Sequence, residues 1–135
     1  MNDYSITLFC SGIGAVTGAK SYKRVCFNNA DWQQNLVIKF LKYNKSSMNT
    51  DSDILIFVPY HKSMKYVTPK KYNQLENKEG YYTFNVNDKI VKGIIDFEIT
   101  SAKDLKELEL KFDDVVNILK IEDCNMFKHF ELACE

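Results

Sequence analysis

Residues 11–21 read SGIGAVTGAKS and bring Gly12, Gly14 and Gly18 close to Lys20 and Ser21. Glycines beside a lysine and a hydroxyl are the residue types of a phosphate-binding loop, where backbone N–H groups and an ammonium hold the anion. The spacing fits neither phosphate motif. GxxxxGK[ST] sets glycine directly before lysine, whereas Ala19 separates Gly18 from Lys20. GxGxxG needs two residues between its last two glycines, whereas Ala15, Val16 and Thr17 separate Gly14 from Gly18. The following SYKRVCFNN is β-like, so no helix N-terminus is offered to a phosphate. The stretch predicts a hairpin or loop between two strands.

The thiols and imidazoles are the next candidates. Cys10, Cys26, Cys124 and Cys134 form no CxxC pair and read as reduced thiols, partly buried in strands. Cys124, His129 and Cys134 are spaced C-x4-H-x4-C, which offers three donors without an evident fourth, so no metal site is assigned. His61 and His129 have no GxSxG motif and no neighbouring nucleophile in sequence. The acidic pairs Asp51 with Asp53 and Asp113 with Asp114 lack the calcium-loop series and read as solvated turn residues. The expectation is a non-enzymatic protein with no catalytic residue, no cofactor and no metal.

One stretch mixes charge with rings. Lys62, Lys65, Lys70 and Lys71 interleave with Tyr60, Tyr66 and Tyr72, the ingredients of a single-strand nucleic-acid surface. The same residues suit a protein contact, since tyrosines are favoured at interfaces, or a solvated connection. The whole chain balances 18 Lys and Arg against 18 Asp and Glu, and Arg24 is its single arginine. That balance argues against a dedicated duplex-DNA binder, which needs a basic excess to displace counterions.

The elements that must position these residues are mostly strands. At 135 residues the chain is the size of one domain, residues 1–135, and its 45% hydrophobic content fills a core. Apolar runs are too short to span a bilayer, and the N-terminus MNDYSITLFC lacks the basic and apolar regions of a signal peptide. Tyr4, Ile6, Leu8 and Cys10 alternate with Ser5, Thr7 and Phe9 as a first strand. Residues 22–27 predict a second, ended by a turn at Asn28, Asn29 and Ala30, and Trp32 opens a third that continues to Leu41, although its LVIKFLK also suits a helix. Residues 44–53 predict a polar loop, and residues 54–58 a strand ended by Pro59. Thr68 and Pro69 start a short helix, with Thr68 as N-cap.

Residues 81–86 and 90–95 predict a hairpin across Asn87 and Asp88. Ser101 with Asp104 three residues on is a capping box for a helix within residues 99–110. Residues 115–121 and 129–134 predict the last two strands, separated by the turn EDCNM. Seven or eight short strands with two small helices in the connections make a mainly β fold, either a β-barrel or a β-sandwich.

Taken in order, these segments resemble a family of small structural proteins encoded by tailed phages and prophages. The landmarks are the first strand at Ile6-Thr7-Leu8-Phe9, SYKRVCF followed by Trp32, DILIFVP and KYVTPKKY. The longest is GYYTFNVNDKIVKGIIDFEITSAKDL, residues 80–105, and the last is HFELACE. Tyr82 stands where the family has tryptophan, and Asn87 is followed directly by Asp88 without the intervening glycine. The resemblance implies a virion component at the head–tail junction, assembled in the bacterial host cytoplasm. It implies a connector of the stopper or completion type (a neck protein), ringed with copies of itself and contacting portal-adaptor, neck or tail proteins and the packaged DNA. The residues expected to meet partners are Gly12, Gly14, Gly18, Lys20, Tyr60, Lys62, Lys65 and Tyr66. The alternative is a nucleic-acid-binding β-barrel using the lysines and tyrosines of residues 60–72.

Overall fold

The computed structural model describes residues 3–33 and 54–135. Among them, six antiparallel strands close a barrel in the order β1-β2-β3-β8-β7-β6. The strands are β1 (Tyr4–Ile13), β2 (Lys20–Gln33), β3 (Ile54–Pro59), β6 (Lys89–Lys92), β7 (Val115–Cys124) and β8 (His129–Cys134). A separate parallel pair, β4 (Lys65–Tyr66) with β5 (Tyr81–Tyr82), two short helices, α1 (Pro69–Gln74) and α2 (Ala102–Lys111), and a single 3-10 turn, Asn125–Phe127, complete the described elements. The fold is therefore mainly β, and of the two architectures expected it is the barrel.

Alternation fills the interior. Ile6, Leu8 and Cys10 of β1, Ile54, Ile56 and Val58 of β3, and Phe130, Leu132 and Cys134 of β8 are all buried in one core. β1 is buried on its other face too, because Phe9 and Val91 of β6 lie under Ile99 and Leu108, the latter from α2. Thr7, on that outer face, donates to Gly93 O at 2.7 Å and accepts from Ile95 N at 3.2 Å. These bonds draw the chain off the barrel after Lys92, so the strand expected to reach Ile95 stops three residues earlier.

Two irregularities correct the sequence reading. Asn28 and Asn29 do not end β2; they form a bulge. Tyr4 pairs with Ala30 while Ile6 pairs with Phe27, so β2 carries an extra residue there, and Asn29 takes the left-handed φ of 62°. The inward set accordingly switches from Val25 and Phe27 to Ala30 and Trp32. Trp32 thus belongs to the second strand rather than opening a third, and the rest of the predicted third strand and residues 44–53 lie outside the described residues. A second bulge at Leu119 shifts β7 against β8.

The hairpin expected across Asn87 and Asp88 does not form. Residues 83–86 are not in a strand, and Tyr81–Tyr82 pairs with Lys65–Tyr66 instead. The turn is real, with Asn87 at φ 75°, yet its backbone bonds go to β7: Asn87 N donates to Ile118 O and Ile118 N to Asp88 O. The buried Asp88 carboxylate fastens this turn to β1 by accepting from Ser11 N at 2.9 Å and from Asn85 Nδ2 at 3.2 Å.

Candidate functional site

The glycine stretch is the β1–β2 hairpin. Gly14 N donates to Ala19 O and Gly18 N to Gly14 O, both at 2.9 Å, while Gly18 takes φ 69° to turn the chain. Gly12 lies flat against the buried ring of Tyr72, where a Cβ would meet Cε2 at 2.5 Å. Ile13 N donates to Asn73 Oδ1, so α1 braces the hairpin base. Lys20 is exposed, its ammonium 5.5 Å from the Tyr22 ring. The N–H groups of Gly14 and Gly18 are thus engaged by backbone carbonyls, and β2 follows where a phosphate loop has a helix.

The tyrosines of residues 60–72 face inward. Tyr72 is 1% exposed, which denies it to a base in solution. Tyr60 and Tyr66 both pack on Phe130, with centroids at 4.9 and 4.7 Å, and Tyr66 also stacks on Phe84 at 6.2 Å. Lys62, Lys65, Lys70 and Lys71 are exposed. The structure therefore separates the mixed patch into solvated lysines and core-facing rings. Phe27, Tyr66, Tyr82, Phe84 and Phe130 form a continuous aromatic cluster inside the barrel.

His61 organises this connection. Its Nδ1 accepts from Ser63 N at 3.1 Å and Met64 N at 3.0 Å, which places the ring proton on Nε2, the donor to Cys26 O at 3.0 Å. Both ring nitrogens are thereby engaged by backbone. A cavity of about 230 Å³ beside it is bordered by Phe27, Asn28, Asn29, Tyr60 and Lys62. That is below the usual span of small-molecule pockets, about 300–1,000 Å³.

The Tyr60 hydroxyl donates to the Asp123 carboxylate, and this bond pushes the phenol up to about 12. Cys10 is a buried thiol donating to Thr83 O at 3.2 Å, pushed up to about 11 by desolvation. Lys23 sends its ammonium to the carbonyls of Lys78 and Tyr81, with burial lowering its pKa. Cys10 and Lys23 thus hold backbone carbonyls in place, while Tyr60 ties its segment to the Asp123 side chain of β7.

One constellation is absent from the sequence reading. Cys124, His129 and Glu131 bring a sulfur, an imidazole nitrogen and a carboxylate oxygen within 4.8 Å of one another. The earlier grouping of Cys124 and His129 with Cys134 is corrected by the strand period. Cys134 is five residues beyond His129, so it points to the opposite face and is buried in the core. Glu131, two residues on, shares the face of His129, and Cys124 is their neighbour across the ladder. Strand parity combined with a turn at residues 125–128 was the signal that could have found it.

With this geometry in view, comparison places the chain. The chain belongs to the family of unknown function DUF6751, which matches residues 1–135. No curated protein and no solved structure matches it. No helix among the described residues is long and apolar enough to cross a membrane.

Proposed function

We propose that this protein is a non-enzymatic structural component of a tailed-phage virion, a head–tail connector of the stopper or completion type. It forms a ring with copies of itself between the portal region and the tail. The observation that carries this reading is where the large apolar side chains are exposed. Val16 at the tip of the β1–β2 hairpin is 83% exposed, and Met126 and Phe127 at the β7–β8 turn are 86% and 72% exposed. Ile13, Ile94 and Leu110 are exposed as well. The interior, by contrast, is filled by the chain's own aromatics, and Gly12, His61 and Asp88 are committed to backbone positioning. Apolar loop tips on a closed scaffold suit contacts with neighbouring copies through a heterologous interface and with adjoining rings.

The test is protein mass spectrometry of gradient-purified phage particles, with tail-less heads analysed in parallel. The reading expects a fixed low copy number in complete particles, and absence from them overturns it. The exposed Lys62, Lys65, Lys70 and Lys71 favour a second reading, a nucleic-acid-binding barrel. Titration with single-stranded DNA at two salt concentrations separates the two: tight binding with a steep salt slope supports the second.

A further inference from the structure

We propose that Cys124, His129 and Glu131 form a binding site for a divalent transition-metal ion of the zinc type, clasping the ends of β7 and β8. The argument is one of donor chemistry and backbone placement. Thiolate, imidazole and carboxylate are the three zinc-ligating side-chain types, and their donor atoms here lie within 4.8 Å of one another. Tetrahedral zinc with ordinary bond lengths needs donors about 3.3–3.6 Å apart. Cys124 Sγ and Glu131 Oε2 are already 3.1 Å apart, so modest side-chain rotation completes the set.

The ladder supplies the preorganisation. Cys124 and His129 are directly paired, and Glu131 follows on the same face of β8. All three are partly buried, which leaves room for solvent to fill the remaining coordination position. A second observation points to a cation at this place. Glu122 is paired directly opposite Glu131, and like charges facing each other across a ladder destabilise it. A metal ion on that face offsets the repulsion. Without metal, the Cys124 thiol keeps its proton and donates a hydrogen bond to the Glu131 carboxylate. Binding replaces that proton: the sulfur–hydrogen bond breaks, a sulfur–metal bond forms, and one proton leaves to solvent.

The experiment uses the full chain, reduced and stripped with a chelator, then titrated with Co²⁺ as a spectroscopic probe and with Zn²⁺ by calorimetry. The expected result is one equivalent of Co²⁺ with a thiolate-to-cobalt charge-transfer band, displaced by Zn²⁺. Cys124→Ser abolishes the band, and His129→Ala and Glu131→Gln each weaken binding about tenfold or more. Cys26→Ser and His61→Ala serve as controls and leave binding intact. Circular dichroism of each variant reports folding, and the near-isosteric Glu131→Gln keeps the test informative if His129→Ala misfolds. Absence of the band in the reduced full chain, or binding that survives Cys124→Ser or tracks Cys26 or His61, overturns the proposal.

Discussion

Asp88 and Gly12 carry out-of-proportion structural roles for single residues. Burial pushes the Asp88 carboxyl above its ordinary 3.8, while bonds from Ser11 and Asn85 hold it down in part. A carboxyl whose folded pKa exceeds its unfolded value binds its proton more tightly in the native state. Its contribution is therefore fully present below the unfolded pKa and is lost as pH rises through the folded one. The expected outcome is that Asp88→Asn costs less stability near about pH 7 than near about pH 4, read from urea unfolding at both. A penalty that grows with pH would mean the carboxylate's hydrogen bonds outweigh its desolvation. Gly12 acts by shape. Its missing side chain lets β1 approach Tyr72, so Gly12→Ala forces a 2.5 Å contact onto a ring that is itself buried. Overpacking of this kind costs about 1–3 kcal/mol, and the measurement is the urea midpoint of the variant. An unchanged midpoint would mean that α1 moves freely away from the hairpin.

Elements show where local signals suffice. The capping box of α2 was legible in sequence because every partner lies within four residues: Asp104 Oδ2 accepts from Thr100 N at 2.9 Å and Ser101 N at 3.2 Å. Those bonds hold the carboxyl below its ordinary range, so its stabilisation is present above the unfolded pKa and disappears as pH falls through the folded one. Asp104→Asn should thus destabilise at neutral pH and lose that effect in acid, a trend opposite to that of Asp88. The helix matters because it roofs the outer face of β1. Leu108→Ala opens that roof, with an expected loss of about 2–4 kcal/mol in the same unfolding assay. Strand phase was less legible. Asn28-Asn29 reads as a turn because asparagine tolerates left-handed backbone, and Asn29 uses that same tolerance for a bulge. Only barrel closure distinguishes the two, since it decides whether Ala30 and Trp32 continue the same ladder. The separation of residues 81–86 from the expected hairpin likewise depends on distant partners, Ser11 and Ile118, that no local pattern names. The metal-type trio was hidden for a simpler reason: equal spacing in sequence suggested Cys134, while strand parity selects Glu131.

Closure of the whole molecule decides how it can associate. Among the described residues the strand order closes on itself, which limits edge pairing to the stretch of β2 before Asp31 and to the short β4–β5 pair and leaves loops, turns and the outer helix as the other contact surfaces. Zero formal net charge also leaves no net monopole to steer it to a polyanion, so any such steering falls to local patches such as the exposed lysines of residues 62–71. What remains is local: apolar tips at Val16 and at Met126 and Phe127, each carried on a hairpin whose base is fixed by hydrogen bonds. A side chain 83% exposed has little to lose on substitution, and surface changes of this kind shift stability by about 0.5 kcal/mol or less. Val16→Asp and Phe127→Asp should therefore leave the unfolding midpoint of the isolated protein nearly unchanged. Under the connector reading, the same changes bury an uncompensated carboxylate wherever a neighbour covers the tip, a far larger cost. The expected outcome is a folded protein that is lost from purified particles and a drop in infectious titre, measured by complementation of a deletion phage. Normal incorporation of both variants would show that neither hairpin tip contacts a partner, and the docking surface would have to be sought at Ile94 and Leu110 instead.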